Sequence, residues 1–153
     1  MTKFSLTFLL SILSASLTLT VFAEIQPNKQ PQQSLSYKNV LIPEAPPVAS
    51  VMAAYFDVVN HTNKKQTITH VESPQFQNVE IHSMTMKDGI MRMKEFDSLS
   101  IKPKETFSLE SAGLHLMLIR PTKRLKKGDQ VILKLKLASG EINTIDTKVT
   151  FSD

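Results

Sequence analysis

From Leu35 onward, apolar and polar residues alternate with a period of two, which sends successive side chains to opposite faces of an extended chain. The run VILKLKL shows it most cleanly: Val131, Leu133, Leu135 and Leu137 would face a core while Lys134 and Lys136 face water. The same period runs through LSYKNVLI, VMAAYFDVVN, TITHVES, PQFQNVEIHSMTM, IMRMKEF, SIKPKETFSL and LHLMLIR. Turn chemistry separates these segments: PEAPPVAS, HTNKKQ, Lys87-Asp88-Gly89 and the basic TKRLKKGD, with SGE as a hairpin turn inside the last pair of strands. No window carries a helical stripe. About seven or eight short strands, each buried on one side, predict an all-β fold: an antiparallel Greek-key β-sandwich or small barrel. Immunoglobulin-like and cupredoxin-like strand orders fit this pattern equally.

The segment before the strands changes the cellular picture. Residues 1–23, MTKFSLTFLLSILSASLTLTVFA, join an early Lys3 to an apolar stretch and close on small residues, so a secretory leader cleaved after Ala23 is expected. An uncleaved anchor is the alternative, weakened by the interspersed Ser and Thr; after cleavage no membrane association is expected. Residues 24–34, EIQPNKQPQQS, are rich in Pro and Gln and read as a flexible lead, leaving 35–153 as one domain. Losing the leader removes Lys3 and no acid, which lowers the net charge from +4 to +3. The cations are scattered without interleaved aromatics, which argues against a nucleic-acid groove. The chain contains no cysteine. That excludes disulfides, a cysteine-borne lipid, thiol redox chemistry and a blue-copper site, whose ligand set includes a thiolate.

Two segments place ligating side chains on the faces where a core strand would carry Val or Leu. In LHLMLIR, His115 and Met117 project to one side with Cα atoms about 6.6 Å apart, while Leu114, Leu116 and Leu118 take the other. Gly113, just before, leaves room for a bend or a close backbone approach. In VEIHSMTM, His82, Met84 and Met86 share one face and Ile81, Ser83 and Thr85 the other; beyond the Lys87-Asp88-Gly89 turn, Met91 and Met93 share a face of the returning strand. Five of the seven methionines therefore fall in one region. Thioether with imidazole selects copper(I) over hard cations, and over zinc when neither thiolate nor carboxylate is supplied. Such ligands are all neutral, so the ion keeps its charge and a thiolate-bearing partner can draw it away. Methionine is also an adaptable core filler, and packing is the competing explanation of the cluster. His61 and His70 lack methionine neighbours and read as structural.

The spacing carries a resemblance. His82, Met93, His115 and Met117 form H-x10-M-x21-H-x-M, which resembles the signature of the PCu(A)C family of periplasmic copper(I) chaperones, and the blocks VEIHSMTMKDGIMRM and AGLHLMLIRP are similar to its motif blocks. The likeness runs from about Tyr37 to Phe151. It implies a cupredoxin-like β-barrel with His82, Met93, His115 and Met117 as copper(I) ligands, and Met84 as a possible alternate. It also implies delivery of copper toward the binuclear centre of a haem-copper oxidase, beside thioredoxin-like assembly factors. Met86 and Met91 are expected to form an apolar surround that keeps water off the ion. Two departures stand out: Ala112-Gly113 where many members have Gly-Gly, and a C-terminal KVTFSD where some members carry a Met/His-rich tail for a further copper, so no tail-based site is expected.

The expected function is therefore that of an exported, monomeric copper(I) chaperone, one ion per chain, which passes its cargo to an oxidase copper subunit or an assembly factor in the course of cytochrome c oxidase assembly. No Ser/His/Asp arrangement, phosphate-cradling glycine loop or carboxylate pair tied to a pocket points to an enzyme. The acidic residues read as surface charges. The alternatives are an immunoglobulin-like structural or adhesive module whose methionines pack, and a copper buffer with the same ligands and no dedicated recipient.

Overall fold

The computed structural model describes residues 33–151. They form ten strands: β1 (Leu35–Leu41), β2 (Val51–Asn60), β3 (Gln66–Glu72), β4 (Phe76–Lys87), β5 (Ile90–Phe96), β6 (Leu99–Ile101), β7 (Thr106–Leu109), β8 (Leu114–Pro121), β9 (Gln130–Leu137) and β10 (Ile142–Lys148). The expected leader and most of the Pro/Gln-rich lead lie outside the described residues. Among those described, no helix is long and apolar enough to cross a membrane.

The strands make two antiparallel sheets. One runs β1-β2-β8-β4-β5, with β7 also on β2; the other runs β10-β9-β3-β6. The all-β sandwich or barrel expected from the alternation is thus present. The strand number exceeds the expected seven or eight partly because the 99–109 segment divides. Its first part, β6, joins β3 in the second sheet, whereas β7 joins β2 in the first. Pro103 and the left-handed Lys104 (φ 60°) turn the chain from one sheet to the other. β7 and β8 then follow each other along the same side of β2, separated by the 110–113 excursion.

The inner faces carry the alternation. Val131, Leu133, Leu135 and Leu137 of β9 are all but fully buried, as are Leu116 and Leu118 of β8 and Ile81 of β4. Each such side chain contributes about 1.5–3 kcal/mol by leaving water. Lys87↔Ile90 pairing closes the β4–β5 hairpin on Asp88 (φ 54°) and Gly89 (φ 74°), two positive angles in succession, the turn that matches the strands' own twist.

A polar network ties the two sheets at one end. Tyr37 Oη donates to Asn143 Oδ1 at 3.0 Å, Asn143 Nδ2 donates to Glu141 Oε1 at 2.7 Å, and Ser34 donates to Glu141 through both its backbone N–H and its hydroxyl. Burial raises the Tyr37 phenol well above its ordinary range, and the nearby Glu141 carboxylate adds to the shift. Burial pushes Glu141 up as well, but hydrogen bonds from Asn143 and Ser34 outweigh it and hold the carboxyl below its usual value. A phenol whose folded pKa is raised stays neutral at the cost of stability once the unfolded chain can ionise. Stability is therefore expected to hold up to about pH 10 and fall above it. Tyr37→Phe should cost about 1 kcal/mol by leaving buried Asn143 short of a donor, and should flatten that alkaline decline; urea unfolding between pH 8 and pH 11 measures both.

Candidate metal centre

The centre lies on the outer face of the first sheet, opposite the leucines that anchor β8 in the core. Antiparallel pairing of β4 with β8 sets His82 directly across from His115 and Glu80 across from Met117. Pairing of β4 with β5 sets Glu95 across from His82 and Met93 across from Met84. On the other side of β8, β2 places Ala53 across from Met117, with Tyr55 two residues on and so level with His115. The period of two keeps all of these on one face.

The two imidazoles meet: their ring centroids are 6.4 Å apart with planes inclined at 40°. Tyr55 lies beyond, its centroid 6.3 Å from that of His115 and its plane tilted by 53°. Met93, His115 and Met117 line one cavity of about 300 Å³, bounded also by Tyr55, Ala53 and the 43–45 segment that follows β1. The structure thus brings Met93, His115 and Met117 to one hollow; His82 does not line it, and meets it only through the tilted contact of its ring with that of His115. Met84, across from Met93, lies on the same face at the hollow's hairpin side.

The hydrogen bonds decide which ring nitrogens are free. His115 Nδ1 is 3.1 Å from the Gly113 carbonyl, which can only accept, so Nδ1 carries the proton and Nε2 keeps its lone pair. His82 Nε2 is 2.7 Å from Glu80 Oε2, and its Nδ1 is buried without a hydrogen-bond partner. A buried polar atom left unpaired costs about 1–3 kcal/mol, which a bound cation would relieve. Two imidazoles with available nitrogens and two thioethers on the same face fit a soft monovalent ion.

Three findings differ from the sequence reading. Glu80 and Glu95 are not remote surface charges: one donor atom from each lies, with His82's, within 4.8 Å of the others. Carboxylates are therefore supplied beside His82 on the β4–β5 side, so the expected discrimination against zinc by an all-neutral donor set does not hold there, and the preference for a soft ion rests on the thioethers. Period two puts Glu80 with His82 and Glu95 with Met93, so the signal was present in the alternation; Tyr55 left none, because pairing of β2 with β8 is not written in either segment. Met86 and Met91 do not close over the centre, being 66% and 57% exposed near the hairpin's tip. Of the two roles expected of Gly113, the bend before β8 is present, but close approach is not, since a Cβ there would make only ordinary contact with Glu110 Cγ at 3.4 Å; its carbonyl also accepts from the Met84 N–H. His61 bonds Ser36 Oγ, away from the centre, and His70 is on β3 of the other sheet.

Packing does not account for the methionine cluster. A thioether used as filler is buried, yet Met86, Met91 and Met93 are each more than half exposed. Met93→Leu should accordingly leave the unfolding free energy of the copper-free protein within about 0.5 kcal/mol of wild type, whereas His115→Ala, which empties a buried position, should cost about 1–3 kcal/mol. Chemical denaturation of the two variants checks the contrast.

The LpqE-like family, described as LpqE-like lipoproteins, matches residues 35–149. No curated protein sequence matches the chain. Among solved structures, the copper-bound PCuAC domain of PmoF2 is similar at 18% identity over 78% of this chain and 95% of that one, with a TM-score of 0.66. Copper(I)-bound DR1885 from Deinococcus radiodurans is similar at 23% identity over 79% of each chain, TM-score 0.60, and its apo form at 20% over 93% and 95%, TM-score 0.62. At these identities the likeness establishes a shared all-β fold.

Proposed function

We propose that this chain, which belongs to the LpqE-like family, is a copper(I) carrier that holds one ion through His82, Met93, His115 and Met117 and yields it to an acceptor protein. The observation that carries the reading is the direct pairing of His82 with His115 across β4 and β8, with Met93 and Met117 on the same face. The fold shared with PCuAC domains whose structures hold copper supports it. So does the spacing of the four residues, and so does the exposure of the donors: Met93, 51% exposed, is reachable from solution, whereas His115 is buried. A partner can attack at the thioether edge while the imidazoles still hold the ion, which allows stepwise exchange without release into water.

In this reading the chain's own groups divide the work. The imidazoles, fixed by Glu80 and by the Gly113 carbonyl, supply the rigid half of the site; the thioethers supply the adaptable half, selecting a soft ion and resisting oxidative coupling. Export to the periplasm, by the leader-like residues 1–23, is part of the proposal and is supported by the family's lipoprotein description. Delivery toward the copper centre of cytochrome c oxidase, directly or through a thioredoxin-like factor, is the recipient we infer from the motif's resemblance. The arrangement serves transfer of an ion, with no step of bond-making on an organic substrate.

Copper(I) titrated under reducing conditions against a chromophoric chelator should saturate at one equivalent, and the loaded protein should melt higher than the free one because the ion favours the folded state. A chelator that keeps all its copper in the presence of excess protein would refute the reading. Met117→Leu preserves volume and removes the sulfur, so it should lower copper affinity at least tenfold while leaving the fold intact.

A further inference from the structure

We infer that Glu80 is a positioning residue: it holds His82 as the tautomer protonated on Nε2, so that the two histidines offer opposite nitrogens to the ion, Nδ1 from His82 and Nε2 from His115. The inference rests on the proposed copper site and adds to it the identity of the donor atoms and the group that selects them.

The geometry leaves little choice. A carboxylate can only accept a hydrogen bond, so the 2.7 Å contact between Glu80 Oε2 and His82 Nε2 places the ring proton on Nε2. In the neutral ring, the form able to ligate, Nδ1 then carries the lone pair, and it is this atom that is buried with no partner. At His115 the roles are reversed, because Nδ1 donates to the Gly113 carbonyl and Nε2 is left bare. A ring nitrogen that donates to a carboxylate makes the opposite nitrogen the metal-binding one and raises its basicity, which is the usual arrangement at histidine metal sites.

Glu80 is itself oriented. Its other oxygen, Oε1, accepts from Asn78 Nδ2 at 2.6 Å, and Asn78, Glu80 and His82 follow each other along one face of β4. The chain of contacts Asn78–Glu80–His82 therefore runs along a single strand toward the position where β8 presents His115. Glu80 also sits across from Met117, so its backbone position is set by the same β4–β8 pairing that brings the rings together. Glu95 faces His82 from β5 and is exposed. A cation bound instead at Nε2 among the two carboxylates would have to displace the Glu80 bond and would leave buried Nδ1 still unpaired.

Two-bond proton–nitrogen NMR spectra of the copper-free full chain at mildly alkaline pH test the assignment before any metal is added. His82 should show the protonated-type shift on Nε2 and the bare-type shift on Nδ1, and His115 the reverse, while exposed His70 serves as reference for an unconstrained ring. His82 protonated on Nδ1, or averaged like His70, would overturn the inference. Glu80→Ala should let the His82 proton redistribute, leave His115 unchanged and weaken copper(I) binding about 10- to 100-fold. Glu80→Gln, whose side-chain carbonyl can still accept from Nε2, should restore part of both. An alanine variant that redistributes the proton yet binds copper like wild type would refute the positioning role. Wild-type tautomers as stated in a protein that takes up no copper would instead refute the carrier reading and leave the proton assignment standing.

Discussion

The register between β4 and β8 is the constraint on which the rest depends. Its apolar side is set by Val79 and Ile81 opposite Leu118 and Leu116, all buried in the sandwich. Because side chains alternate strictly, the same register sets Glu80 opposite Met117 and His82 opposite His115 on the outer face. A slip of one residue in β8 would drive His115 into a leucine core and push Leu116 out. Loss of apolar burial and desolvation of an imidazole oppose that slip together. The stability of the core and the geometry of the site are thus two sides of one pairing.

The outer face is graded from rigid to loose. His115 is buried, pinned by a backbone carbonyl and packed against Tyr55. His82 is one strand farther out, held by a carboxylate on its own strand. Met93 is farther still, on an edge strand every residue of which is exposed. Edge strands invite pairing with other chains, and here Arg92, Lys94 and Glu95 break the apolar run of IMRMKEF, which discourages self-association. That gradient suits the proposed carrier: the buried end resists water, and the exposed end can be engaged by another protein. The outer part of the β4–β5 hairpin, residues 85–96, is exposed throughout, so Met86, Met91 and Met93 can vary in conformation at small cost to the fold.

Much of this was legible in the chain. The period of two marked nearly every strand, VMAAYFDVVN and IMRMKEF to the residue, although IMRMKEF, expected to be buried on one side, is exposed on both; the Asp88-Gly89 pair marked the hairpin, because a strand's period and a turn's positive φ are local properties. The sharing of a face by His115 with Met117, and by His82 with Met84, followed from the same period. The division of 99–109 between two sheets was not legible: the alternation persists across Pro103, and only the partners, β3 for one half and β2 for the other, distinguish them. The part played by Glu80 was half legible. Its face could be counted off from His82, but a carboxylate two residues from a histidine is a surface charge or a proton holder depending on what the other strand brings.

What the sequence determined by itself is the repertoire: an all-β domain, cysteine-free, with soft donors two residues apart on strand faces that point away from the core. What tertiary structure decided is which donors meet and by which atoms. Pairing between strands 33 residues apart brings His82 to His115, and hydrogen bonds to Glu80 and to the Gly113 carbonyl choose the nitrogen each ring leaves free. The physical reason is that side-chain period is set by the backbone of one segment, whereas register and proton position are set by contacts between groups, and those exist only once the segments lie side by side.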